Sequence, residues 1–321
     1  MRVPEELHTF LLKEKAFFIA THVNPEGDAL GSSIALAMAL ESIGKEVLLY
    51  DRDPVPHLYH FLPGYEKFKN CYSPSLVSSL PLVLLDCNEI ERAGLAEVKI
   101  SCSAVIDHHE TVRDFGDIKW IMPHAAATGM MVYWLIREMG VPLTRDIAIN
   151  LYTAIANDTG TFRYRNTSSE VLRICAELID FGASPGAISE CLYETWSEGR
   201  FKLMTDVLQT LDMRGDVAII HATEEMFQRT GTSASDTENF SNFPRMINEI
   251  RISAFFRKIK EGWKISLRSK GDVNVAEIAS LFNGGGHRNA AGYKITADDI
   301  NSAKDELIKT LTERGHLHTH Q

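Results

Sequence analysis

Short unbroken apolar runs alternate with helical patterns through the first half of this chain, and that alternation narrows the available folds. AFFIATH (16–22), KEVLLYD (45–51), PLVLLDC (81–87) and SAVIDHH (103–109) read as strands apolar on both faces. Between and after them, DALGSSIALAMALESIG (28–44) reads as a helix closed by a glycine, and TGMMVYWLIREMG (128–140) and TRDIAINLYTAIAND (144–158) as helices capped by Thr128 and Thr144. Strands buried on both faces need helices on both sides, so an α/β fold with a doubly wound, mostly parallel sheet is predicted.

The chain has 321 residues, enough for a second domain. Near residue 183 the pattern changes: SPGAISECLYETWSEGRFKLMTDVLQTL reads as one long amphipathic helix with proline near its start. Beyond it GDVAIIHAT, EIRISAFFRKI and GWKISLRSKG read as strands of a second, mixed sheet, with a helix in GDVNVAEIASLF and a polar loop at 229–245. The predicted layout is therefore a first domain over 1–183, a helical linker over 184–211 and a smaller α/β domain over 212–321.

A formal charge of −10 argues against a surface that tracks long nucleic acid or an anionic membrane, since both need clustered Lys and Arg. Small phosphorylated substrates stay open, because a metal can supply positive charge locally. The N-terminus MRVPEELHTFLLKEK lacks the basic-then-apolar pattern of a signal peptide, and no run approaches the length of a membrane span. The five cysteines (71, 87, 102, 175, 191) form no CxxC pair, so a disulfide framework and a thiolate zinc site are both disfavoured. A cytoplasmic protein is expected.

Acidic and imidazole residues recur where apolar elements end. They are His22, Glu26 and Asp28 after the first strand, Asp86 after LVLL, Asp107, His108 and His109 after AVI, and Asp158 after YTAIAN. Singly, each has an ordinary explanation: Asp28 as a helix N-cap, Asp86 as a strand end, NDTG (157–160) as a turn. Together they matter, because an open parallel sheet gathers ligands outside the carboxyl ends of its strands. Carboxylates with imidazoles and no thiolate suit manganese or magnesium, and so many ligands exceed the needs of one ion. Two divalent cations sharing a carboxylate are predicted. In the second domain NGGGHRNAAG (283–292), with Arg268 upstream in ISLRS, reads as a glycine-rich loop able to bring backbone amides to a phosphate.

The ordered set H-x-N-P-E-G-D-A-L-G-S, L-L-D-C, D-H-H, N-D-T-G and G-G-G-H-x-x-A-A-G resembles the DHH phosphoesterase family with its DHH-associated C-terminal domain, over roughly residues 15–310. The resemblance implies one ion on His22, Glu26 and Asp86, and another on Asp28, Asp86, His108 and Asp158, with Asp86 bridging. It implies that Asp107 orients His108 and that His109 faces the substrate phosphate as a general acid. Substrate binding would fall to Arg268, Gly284, Gly285, Gly286, His287 and Arg288. Family members usually carry aspartate where this chain has Glu26, so the longer arm must be absorbed by the loop, by bidentate binding or by loss of the contact. The compact, nanoRNase-type members imply cleavage of short oligoribonucleotides to nucleoside 5′-monophosphates and removal of phosphate from 3′-phosphoadenosine 5′-phosphate (pAp). The implied route is hydroxide attack supported by two ions, manganese first and magnesium second; a homodimer is compatible with it.

Rival readings share the metal core: a phosphodiesterase for cyclic dinucleotides or pApA, a RecJ-like exonuclease, and a family II pyrophosphatase. The length leaves no extra strand-binding domain for the second, and the GGGHRNAAG loop points away from the third. From another class, a catalytically dead nucleotide sensor or RNA-binding protein would keep only the pocket, yet every expected ligand position is filled.

Overall fold

The computed structural model describes residues 2–109, 115–297 and 299–316, with the side chain of His287 outside the description. The chain divides into two compact units, Met1–Thr195 and Trp196–Gln321.

In the first unit the elements are α1 (Glu5–Lys13), β1 (Ala16–Ala20), α2 (Gly27–Ser42), β2 (Glu46–Tyr50), β3 (Phe68–Lys69), α3 (Pro74–Ser79), β4 (Leu82–Leu85), β5 (Ser103–Asp107), β6 (Ile118–Ile121), α4 (Thr128–Glu138), α5 (Arg145–Asp158), α6 (Ser169–Asp180) and α7 (Pro185–Tyr193). The sheet runs β3-β2-β1-β4-β5-β6 with every pairing parallel, so the predicted architecture holds. Chain order reverses between β1 and β4, which opens a crevice at their carboxyl ends. The pleat sends alternate residues to opposite layers: Phe17 and Ile19 pack with α2, α4 and α5, whereas Phe18 and Ala20 pack with Val77, Leu82 and Leu84.

Small residues bring the helices together above the crevice. A Cβ on Gly129 would lie 2.5 Å from the Ala154 methyl, so α4 and α5 approach this closely only because residue 129 has no side chain. Thr144 caps α5, accepting the Ile147 N–H at 3.3 Å, as its position predicts. Thr128 does not cap α4: it is the first helical residue, and its hydroxyl is used elsewhere.

The second unit holds α8 (Glu198–Leu208), β7 (Asp212–Arg214), β8 (Val217–Ala222), α9 (Glu224–Thr230), β9 (Ile252–Ile259), β10 (Gly262–Ser269), α10 (Val275–Ser280), β11 (Gly285–His287), β12 (Ala290–Ile295) and α11 (Ile300–Glu313). Its sheet is mixed, in the order β11-β12-β10-β9-β8-β7, with β8 parallel to β9. Two expectations are corrected. The stretch 184–211 is not one helix but α7 and α8, because Ser197 opens a new helix by accepting the Arg200 N–H at 3.0 Å. The glycine-rich stretch is not a loop but a hairpin, β11 pairing with β12 from Gly285–Gly292 to His287–Ala290. Among the described residues no helix is long and apolar enough to cross a membrane.

Candidate metal centre

The centre is assembled from five chain segments at the carboxyl ends of β1, β4 and β5. His22 and Glu26 lie in the β1–α2 loop, Asp28 in the first turn of α2, Asp86 just past β4, His108 and His109 just past β5, and Asp158 at the end of α5. Their ligand atoms form three close groups: His22, Glu26 and Asp86; Asp86, His108 and His109; and Asp28, His108 and Asp158. Asp86 and His108 each belong to two groups, so the arrangement is one connected cluster.

Distances show how tightly it is drawn. His108 Nε2 lies 3.0 Å from Asp158 Oδ2, 3.5 Å from Asp86 Oδ1 and 3.6 Å from Asp28 Oδ2. His22 Nε2 lies 3.5 Å from Asp86 Oδ2. Both imidazoles turn their other nitrogen to a backbone carbonyl, His22 Nδ1 to Val23 O at 3.0 Å and His108 Nδ1 to Ala125 O at 3.1 Å. Such a bond places the Nδ1 proton on a carbonyl and turns Nε2 towards the carboxylates, so Nε2 is the nitrogen a cation would take in place of its proton. Oxygen-rich donors with imidazole, preset in this way, fit hard divalent cations.

Asp28 is not the cap of its own helix, as it would be if read alone. Glu26 occupies that N-cap position, while the buried Asp28 carboxylate accepts the first two N–H groups of α4, from Thr128 at 2.6 Å and Gly129 at 2.8 Å. It therefore ties α2 to α4 through a helix N-terminus that favours negative charge. The Thr128 hydroxyl meanwhile donates to Asp86 Oδ1 at 2.9 Å. Asp86 takes φ = +56°, a region costing a non-glycine residue on the order of 1 kcal/mol. Its N–H bond to Ile106 O at 3.0 Å and the Thr128 contact hold it there.

Electrostatics make the cluster a strong attractor of cations. Burial alone would lower the imidazole pKa values, yet Asp158, Asp86 and Asp28 draw His108 up to about 11, and Asp86 with Glu26 draws His22 up to about 9. Burial, then the charges of Asp86 and Asp158, push Asp28 well above the usual carboxylate range. Asp86 goes the other way: burial would raise it, but His22, His109 and His108 together hold it below that range.

The expected pairing of Asp107 with His108 is corrected. Asp107 Oδ1 sits 2.6 Å from His109 Nδ1, and Asp107 Oδ2 accepts Asn88 Nδ2 at 2.6 Å. Adjacency in D-H-H does not decide which imidazole the carboxylate reaches; the turn after β5 does, folding His109 N–H back to Asp107 Oδ1 at 3.2 Å. The Asp107 bond and the Asp86 charge outweigh burial and raise the His109 pKa.

Sequence reasoning missed Thr128, Asn88 and a brace on the β1–α2 loop. Buried Asp51 accepts the Asp53 N–H at 2.7 Å, and Asp53 in turn accepts the Asn24 N–H at 2.8 Å, holding Asn24 at φ = +55° between His22 and Glu26. The available signal was the acidic pair in YDRDP directly after a predicted strand.

In the second unit Arg268 lies on β10 opposite Ala290, which is opposite His287, so the three backbone positions share one row of the sheet. Arg288 is exposed at the hairpin tip, its guanidinium donating to Asp272 O at 2.9 Å. The glycines differ in kind. A Cβ would fall 2.2 Å from Gly292 O at Gly284 and 2.5 Å from Ala290 O at Gly286, but at Gly285 it would meet nothing within 4 Å. Packing explains Gly284 and Gly286, and only Gly285 leaves an open side.

A parallel sheet with carboxylates and imidazoles gathered at its switch point is built to hold divalent cations, the setting of a metal-dependent hydrolase. Residues 16–155 match the DHH family N-terminal domain and residues 217–313 the DHHA1 domain, and the chain belongs to the DHH phosphoesterase family. It is 36% identical over 311 residues to the bifunctional oligoribonuclease and PAP phosphatase NrnA of Thermus thermophilus, covering 95% of this chain and 93% of that one. It is 29% identical over 285 residues to the Bacillus subtilis protein of the same name, covering 87% of this chain and 88% of that one. An exopolyphosphatase-related protein from Bacteroides fragilis, 28% identical, shares the fold with a TM-score of 0.91 over 98% of both chains.

Proposed function

We propose that this protein degrades short oligoribonucleotides to nucleoside 5′-monophosphates and dephosphorylates pAp to AMP. The metal-dependent chemistry rests on one observation: the two carboxylate oxygens of Asp86 reach in different directions, Oδ2 to His22 at 3.5 Å and Oδ1 to His108 at 3.5 Å, one imidazole from each proposed ligand set. The substrates rest on the names of the two NrnA relatives, whose similarity runs through both domains. In this reading residues 1–183 carry the chemistry and 212–321 bind substrate.

Two divalent cations, manganese first and magnesium second, would be held by His22, Glu26 and Asp86 and by Asp28, Asp86, His108 and Asp158. Bound there, they would lower the pKa of a water and neutralise charge developing on the phosphoryl oxygens. The chain's own residues do the rest. His109, its Nδ1 held by Asp107, gives a proton to the departing 3′ oxygen. Arg268, Gly284, Gly285, Gly286, His287 and Arg288 bind the 5′ nucleotide, the open side of Gly285 admitting a phosphate to the backbone. A cytoplasmic setting, with all five cysteines free, belongs to the same proposal.

The test is a substrate panel of pAp, pApA, cyclic di-AMP and 5′-phosphorylated RNAs of two to ten nucleotides, with manganese and with magnesium. Release of phosphate from pAp and of mononucleotides from the shortest RNAs is expected. Exclusive turnover of cyclic di-AMP or pApA would replace this reading with a cyclic-dinucleotide one.

A further inference from the structure

The segment following Asp158 carries groups that the metal centre does not use. Gly160, Thr161 and Phe162 take φ = +56°, +56° and +63° in succession, a left-handed turn that β-branched and aromatic residues avoid. It is firmly held. Thr161 N–H donates to Ala156 O at 2.7 Å, Phe162 N–H to Thr159 Oγ1 at 3.1 Å, and Arg163 N–H to Thr159 O at 3.0 Å. The Phe162 ring packs edge-on to Tyr152 at 5.8 Å, and the Thr161 hydroxyl hydrogen-bonds the Tyr193 hydroxyl at the end of α7.

That turn builds a cleft of about 200 Å³ lined by Thr161, Arg163 and Tyr193. Arg163 is exposed and anchored by Nε to Gly160 O at 2.7 Å, and no carboxylate pairs with it among the described residues. Tyr193 keeps 43% of its surface exposed. In a chain of net charge −10, an arginine without an ion-pair partner beside an exposed tyrosine suits a ligand that is both anionic and aromatic. Stacking on a tyrosine and a charge-assisted bond from arginine are the two contacts by which proteins hold single-stranded nucleotides. The cleft begins three residues past Asp158, within about 11 Å along the chain, so it adjoins the candidate centre.

We propose that this cleft is the subsite for the nucleotide on the 3′ side of the scissile phosphate, Tyr193 taking its base and Arg163 its own 3′-phosphate. The inference rests on the oligoribonuclease and pAp phosphatase reading. It gives that reading a structural division of labour, because pAp has no nucleotide beyond its 3′-phosphate and a dinucleotide does.

The experiment measures kcat/KM for pAp, a 5′-phosphorylated dinucleotide, a trinucleotide, and a dinucleotide whose second residue is abasic. Tyr193→Ala should lower dinucleotide turnover about tenfold relative to pAp, the size of one lost base stack. Tyr193→Phe, which keeps the ring, should restore it, and the abasic substrate should already be slow on the wild type and no slower on Tyr193→Ala. Arg163→Gln should act on the trinucleotide more than on the dinucleotide. Equal losses on pAp and the dinucleotide, or no loss on either, would overturn the subsite alone. A wild-type enzyme that cleaves neither substrate would overturn the underlying reading and the subsite with it.

Discussion

Asp86 and Arg288 stand at opposite extremes of restraint. Asp86 leaves β4 into a buried cluster at 1% exposure, with its N–H on Ile106, its carboxylate on the Thr128 hydroxyl and three imidazoles around it. Arg288 stands exposed at the hairpin tip, its guanidinium bound to a single backbone carbonyl. A misplaced charge in a water-poor cluster costs several kcal/mol, so the fold specifies each atom there; on the surface water accepts many geometries and a ligand makes the final choice. Substitutions in the first region should therefore act on turnover, and those in the second on substrate affinity.

The sharpest contrast is between Asp86→Ala and Arg288→Ala. Removing Asp86 should cut kcat on pAp by about 1,000-fold or more, roughly 4 kcal/mol of transition-state stabilisation. Removing Arg288 should raise KM about tenfold and leave kcat within about twofold, as loss of uniform binding does. An equal fall of kcat in both variants would break the comparison.

Within the hairpin the glycines should separate by role. Gly284→Ala and Gly286→Ala force a methyl against backbone and should cost about 1–3 kcal/mol in urea denaturation. Gly285→Ala, facing open space, should stay within about 0.5 kcal/mol of wild type, with any effect appearing in KM.

At the centre, Thr128→Val keeps the shape and deletes the donor to Asp86. Manganese affinity, measured by calorimetric titration, should weaken about tenfold, the usual effect of losing a group that orients a ligand. An unchanged affinity would show that the positive-φ backbone alone positions Asp86.

The smallest effect concerns His221, which burial and then the charge of Lys304 push down to about 4. It is neutral in the folded state and takes up a proton more readily when unfolded. Its contribution is thus fully present above about pH 6.5 and is lost as pH falls towards 4. Because the ring is only partly buried, the loss should be about 1 kcal/mol between pH 7.5 and 4.5, and His221→Gln should flatten that slope.

Much of the first unit could be read from residues because its strands are buried on both faces, so AFFIA and LVLL leave no other placement. Asp86 and Asp158 were legible for the same reason, as charges at the ends of apolar elements. Side-chain direction was not. D-H-H places two imidazoles beside one carboxylate, and only the turn after β5 assigns Asp107 to His109. Thr128 carries the signature of a cap, yet its hydroxyl serves Asp86, since that use depends on α4 meeting β4 across 42 residues of chain. The run of glycines in 284–286 concealed a hairpin because β11 is only three residues long and borrows its register from β12. The left-handed turn at Thr161 was invisible because neither residue type favours it; the surrounding hydrogen bonds impose it.

Whether Asp86 joins two ions is read out by counting bound manganese after equilibrium dialysis while recording the electron paramagnetic resonance spectrum. Two ions per chain with exchange-coupled signals are expected in the wild type, and at most one uncoupled ion in Asp86→Ala. A single ion supporting full wild-type turnover, or two ions unaffected by Asp86→Ala, would contradict a bridging Asp86.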